Sequence, residues 1–262
     1  MNYERCPKCA HAPLPAEQSA PVACPACGVI LAKVALIGAA RAVDSRAVAS
    51  PARPPSDHRG LLELMFHVPS RVDRMYLLLR AAALVLVGFW TVWILRSVDI
   101  ATGEAGSFFL WALLTPFHEA GHVLLMWAPR FVTILGGTLG QCLMPAGLAA
   151  MLLFQRRDPF GAALFTWLLG NSLIMTAVYM FDAFDPRIML LDGRTGADSD
   201  GHDWQNLFGD LGLLPRACAI GTFFGWFGRA LMIAALVWAA IIVWMQRSKV
   251  SDHPFAEDGV DG

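Results

Sequence analysis

Five apolar runs constrain this chain more than any other feature: Tyr76–Leu95, Ser107–Ala128, Thr138–Phe154, Phe160–Phe181 and Ala219–Met245. Each approaches the roughly 20 apolar residues that an α-helix needs to cross the hydrocarbon of a bilayer. A backbone surrounded by lipid must satisfy its own hydrogen bonds, so such runs are expected as helices. Composition agrees. Of 262 residues, 56% are hydrophobic and only 16% charged, where soluble domains carry about 25% charged residues. The expected fold class is an all-α polytopic membrane protein with about five transmembrane helices and a small N-terminal module. The expected divisions are a module over 1–36, a flexible linker over 37–60, an interfacial segment over 61–75, a membrane domain over 76–246 and a tail over 247–262.

The N-terminal module rests on four cysteines. Cys6 and Cys9 form one Cys-Pro-x-Cys turn, and Cys24 and Cys27 form another. Each turn directs two thiolates at one point, and two such turns supply the four sulfurs that tetrahedral Zn²⁺ takes. The 14 residues between the pairs fall just short of the usual zinc-ribbon spacing of about 15–20. The segment resembles a small zinc ribbon holding a structural zinc, either as a folding unit or as a docking point for a cytosolic protein partner. With a net charge of −1 and no dense basic patch, no nucleic acid partner is expected. The N-terminus has no apolar signal region. Free thiols fit a reducing compartment, so the expected location is integral and multi-pass with the N-terminus cytosolic. Arginine and lysine counts in the loops support that orientation by a thin margin.

Between the third run and the one before it, "RFVTILGG" (Arg130–Gly137) carries β-branched residues and paired glycines, and is expected as a short strand or re-entrant turn. A polar loop from Asp182 to Ala217 separates the last two runs. Arg80, near the start of the first run, can snorkel to the headgroups. Cys142 and Cys218 read as apolar fillers.

The second run contains "TPFHEAGHVLLMW", in which His118, Glu119 and His122 match H-E-x-x-H. Residues four apart share a helix face, so both imidazoles can reach one Zn²⁺ while Glu119 lies beside it. Glu119 is then placed to take a proton from zinc-bound water and pass it to a leaving amine. Ionisable groups inside a membrane span are costly and mark functional sites.

His118-Glu119-Ala120-Gly121-His122 within a span resembles the site-2 protease group of intramembrane zinc metalloproteases, over roughly Ser107 to Asp182. The resemblance implies a catalytic zinc, a membrane protein or peptide substrate, and hydrolysis near the cytosolic face. It implies a third ligand, an aspartate, from the span two later; here that span holds Asn171 and ends at Asp182, with Ala183 where the group has glycine. It also implies a sheet beside the site, which "RFVTILGG" would supply. The third ligand stays open: Asp182 and His202 come first, then Asp203 and Asp192, the last preceding a glycine. Asn171 and Gln141 either orient substrate or bond between helices. A non-proteolytic zinc-binding receptor or scaffold is the alternative from another class, and a zinc transporter a third.

Overall fold

The computed structural model describes residues 4–6, 8–14, 22–31, 58–102 and 109–251. The chain divides into two compact units, Met1–Ser56 and Asp57–Gly262. Most of the expected 37–60 linker lies outside the described residues.

In the first unit the two cysteine turns have the same backbone. Cys6 N–H donates to His11 O at 2.9 Å and Ala10 N–H to Cys6 O at 2.8 Å; Cys24 N–H donates to Val29 O at 2.9 Å and Gly28 N–H to Cys24 O at 2.8 Å. Ala10 and Gly28 hold the equivalent position, with φ of 59° and 68°. Only glycine adopts that left-handed backbone without steric cost. An antiparallel bridge between Ala23 and Ile30 closes the second turn.

The second unit is helical. In chain order it contains α1 (His58–Met65), β1 (Val72–Asp73), α2 (Arg74–Ser97), α3 (Phe109–Leu124), α4 (Arg130–Phe154), α5 (Pro159–Asp182), α6 (Asp203–Asp210), a 3₁₀ turn (Leu214–Arg216), α7 (Ala217–Arg247) and β2 (Val250–Ser251). The stretch just after α7, expected as tail, pairs in parallel with β1 through Val72–Val250 and Asp73–Ser251.

Among the described residues four helices are long and apolar enough to span a membrane: Arg74–Ser97, Arg130–Phe154, Pro159–Asp182 and Leu214–Arg247. That is one fewer than the sequence suggests. α3 has 16 residues, about 24 Å at 1.5 Å per residue, against a hydrocarbon core of about 30 Å. It ends where the chain turns toward Pro129, which opens α4.

Lipid-facing surfaces are apparent on α2, where Val85 is 72% and Phe89 69% exposed. Side chains of this kind left bare over several turns match hydrocarbon rather than water. Arg80 does not snorkel. It is buried on α2 and donates to Asp158 Oδ1 at 2.6 Å just before α5, with Tyr76 alongside. A buried guanidinium is tolerated only when so paired.

The "RFVTILGG" segment is helix, not strand: it forms the first two turns of α4. An isolated strand at membrane depth would leave both edges unbonded, whereas a helix satisfies its backbone internally. Gly136 and Gly140, four residues apart, serve helix contact. A Cβ on Gly136 would lie 2.6 Å from Gly121 O, and one on Gly140 would lie 2.3 Å from Phe117 O. α3 and α4 therefore touch backbone to backbone. α5 and α7 meet similarly, where a Cβ on Gly228 would fall 2.7 Å from Gly170 O.

Candidate metal centre

α3 presents His118 and His122 on one face, as the i, i+4 spacing requires. Their Nε2 atoms converge on one carboxylate oxygen, Asp203 Oδ2, at 2.9 Å and 3.2 Å. The three donor atoms lie within 4.8 Å of one another. Tetrahedral zinc with bonds near 2.05 Å sets its ligands about 3.3 Å apart, close to the distances from each Nε2 to Asp203 Oδ2.

The hydrogen-bond network fixes Nδ1 as a donor on both rings. His122 Nδ1 faces the backbone carbonyl of Thr133 at 2.9 Å. A carbonyl only accepts, so Nδ1 carries the proton. On the other ring the deduction starts at Ser172 O, which takes the hydroxyl proton of Thr176 at 3.0 Å. Thr176 Oγ1 must then accept from Gln141 Nε2 at 2.7 Å, which turns Gln141 Oε1 toward His118 Nδ1 at 2.9 Å. His118 Nδ1 is thus also a donor. In their neutral form both imidazoles would present Nε2 as the ligating atom toward one carboxylate oxygen, and a cation among the three would be held by all of them; as imidazolium rings they would pair with the carboxylate directly. Imidazole donors anchored through their other nitrogen are the usual arrangement of metal-binding histidines.

Gly137 on α4 keeps this space open. A Cβ there would lie 2.4 Å from His122 Nε2 and 2.5 Å from His118 Nε2. Any other residue would push its side chain into the position the ligand atoms surround.

Asp203 is the first residue of α6. Leu207 and Phe208 bury that helix against Phe131, Ile134 and Leu135 of α4, and Trp204 Nε1 donates to Thr138 Oγ1 at 3.2 Å.

Two residues ranked ahead of Asp203 from the sequence lie elsewhere. Asp182 ends α5, where its carboxylate accepts from Arg187 N at 2.9 Å and Ile188 N at 3.2 Å. His202 is fully buried, and its Nε2 meets Asp182 Oδ2 at 3.1 Å. These two partner each other and neither belongs to the cluster. Asp192 pairs with Arg194 at 2.8 Å, and the Arg194 backbone N–H and guanidinium hold its carboxyl below the usual range. Its following glycine, Gly193 with φ 79°, is a turn residue of a small hairpin bridged at Met189 and Thr195.

The cluster opens on a cavity of ≈620 Å³, within the range of small-molecule and peptide sites. His118, Glu119, His122 and Asp203 line one part of it. Trp111, Met175, Val178 and the segment Ile188–Leu191 supply apolar walls. Glu119 is exposed into this space. Gln141 acts through His118. Asn171 is fully buried, with neither side-chain polar atom partnered among the described residues, and does not line the cavity. The sequence did not single out Tyr179, Thr133 or Gly137. Their polar or small character is unremarkable in a helix, and their roles come only from packing.

In the first unit Cys6, Cys9, Cys24 and Cys27 cluster. Cys6 Sγ lies 3.7 Å from Cys27 Sγ, and Cys9 Sγ 3.8 Å from Cys24 Sγ. Tetrahedral thiolate zinc with bonds near 2.3 Å separates its sulfurs by about 3.8 Å, whereas a disulfide holds them near 2.0 Å. These four residues could hold a metal ion.

Comparison with protein-family models, curated proteins and solved structures finds no match to this chain.

Proposed function

We propose that this is a membrane-embedded zinc-dependent peptidase of site-2 protease type, with His118, His122 and Asp203 as metal ligands and Glu119 as general base. The observation that carries the reading is the pair of imidazoles, each anchored through Nδ1, with both Nε2 atoms aimed at one carboxylate beside Glu119. Three protein ligands leave a fourth position for substrate or water, the pattern of catalytic rather than structural zinc. A zinc ion held there would polarise a scissile carbonyl and acidify water. Glu119 would accept the proton of the attacking water and deliver it to the leaving amine nitrogen. The apolar walls would receive the hydrophobic side chains of a membrane-associated peptide.

The same reading takes α3 as a fifth membrane element and the Cys6–Cys9–Cys24–Cys27 cluster as a zinc ribbon with a structural zinc. It places the N-terminus in the reducing cytosol, where the ribbon could recruit a protein partner.

The test uses the purified full chain in detergent. Elemental analysis should find two zinc per chain, falling to one in a His118→Ala/His122→Ala double variant. Glu119→Gln should keep both metals and lose cleavage of a library of apolar-to-polar peptides read by mass spectrometry. Undiminished cleavage by Glu119→Gln would sink the catalytic assignment and favour a zinc-binding receptor.

A further inference from the structure

Asp182 occupies the position from which the resemblance would draw the third ligand, yet its carboxylate meets an imidazole instead. That imidazole, His202, has both ring nitrogens committed. Nδ1 accepts from Gln205 N–H at 3.1 Å, so Nε2 carries the proton and donates to Asp182 Oδ2 at 3.1 Å. The first bond caps the N-terminus of α6. The second fastens that cap to the last turn of α5. Asp182 is itself held by the backbone N–H groups of Arg187 and Ile188.

The next residue is Asp203, and it is fastened to the same turn of α5. Its backbone N–H donates to Tyr179 Oη at 3.1 Å, and the Tyr179 ring lies 4.2 Å from the His202 ring, centroid to centroid. Residues 179 and 182 are three apart and so share one face of α5. Gly196 leaves room for the imidazole: a Cβ there would fall 2.7 Å from His202 Cβ. The Tyr179 bond ends on the Asp203 backbone itself, and the His202 bonds fix the residue just before it.

We infer that Asp182 and His202 are positioning residues of the metal centre: a His–Asp strut that sets the α6 N-terminus, so that Asp182 acts on the metal through His202 rather than by ligation. The inference rests on the metal reading above. The docking of α6 does not depend on the strut, because Leu207, Phe208 and the Trp204–Thr138 bond hold the helix to α4. Losing the strut therefore loosens one ligand and leaves the fold in place. Supports of this kind are worth 10–100-fold in metal affinity.

The experiment titrates Co²⁺ into the metal-free full chain in detergent and follows the d–d bands of the histidine–carboxylate site. Thiolate charge-transfer bands report the cysteine site separately. His202→Asn keeps a capping acceptor but cannot reach Asp182; Asp182→Ala removes the other end; Tyr179→Phe keeps the ring and drops the hydroxyl. Each of the first two should weaken Co²⁺ at the membrane site about 10–100-fold and alter its d–d spectrum. The double variant should be no weaker than the poorer single, since both break one connection. Cysteine-site bands should stay as in the unaltered chain and the thermal transition should remain single and cooperative, and Tyr179→Phe, the least disruptive change, should show a smaller loss in the same direction. Unaltered affinity in His202→Asn and Asp182→Ala, or losses that multiply in the double, overturns the strut while the metal centre stands. If His118→Ala/His122→Ala leaves cobalt uptake unchanged, the metal centre falls and the strut with it.

Discussion

Gly137→Ala is the sharpest probe of the metal centre, because it adds one methyl group where the ligand atoms converge. The new Cβ would sit 2.4 Å from His122 Nε2, 2.5 Å from His118 Nε2 and 2.6 Å from His122 Cε1. Carbon–nitrogen contacts settle near 3.5 Å, so each imidazole must withdraw by about 1 Å. Metal–ligand distances tolerate only about ±0.2 Å. Two of three ligands would be displaced by several times that tolerance, and the site should lose its ion. Stability should change little. Alanine gains about 1 kcal/mol of helix propensity over glycine, offset by about 1–3 kcal/mol of overpacking. The assay is zinc per chain on purified protein, with the thermal transition as control. The expected result is one zinc, held by the cysteines, in a chain that unfolds within a few degrees of the unaltered one. Gly147→Ala, where a Cβ meets nothing within 4 Å, should retain both. A Gly137→Ala chain with two zinc and undiminished affinity would refute the placement of the metal.

Other outcomes follow from the same contacts. Asp203→Asn should weaken zinc at the membrane site by at least about tenfold, as a lost charged ligand implies, whereas Asp192→Ala, whose carboxylate is spent on Arg194, should leave it unchanged; equilibrium dialysis against a zinc buffer distinguishes them. Cys24→Ser should remove one zinc and leave peptide cleavage intact, as checked by elemental analysis beside the peptide assay. Gly121→Ala would place a Cβ 2.0 Å from Gly136 O, and a backbone atom cannot swing aside, so a loss of about 3 kcal/mol or more is expected. An unchanged thermal midpoint would contradict the close approach of α3 and α4.

What could be read from the sequence was local. His118 and His122 declare themselves because four residues are one helical turn, and the cysteines because each pair lies within one turn of backbone. The long runs around α2, α5 and α7 are legible for the same reason: length and apolarity are properties of a segment. The third ligand is not such a property. Asp203 reaches the imidazoles only because α6 packs on α4, and nothing near "GHDW" announces that docking. Asp182 stands at the end of α5, where the sequence draws attention to it, and its carboxylate is taken up by the following turn and by His202. "RFVTILGG" misleads through β-branched propensity, a weak preference beside the cost of an unpaired strand in lipid.

The three ligands do not stand on equal footing. Two belong to α3, locked by backbone contact against α4 at Gly121, Gly136 and Gly140. The third heads a short helix reached through a long loop. An ion bound there would meet parts that are held in place to different degrees. The imidazole pair is a standing half-site, ready before any ion arrives, and the carboxylate is the latch. Exchange would then be timed by how firmly the Asp182–His202 and Tyr179–Asp203 contacts hold the head of α6, rather than by bond strength at the histidines.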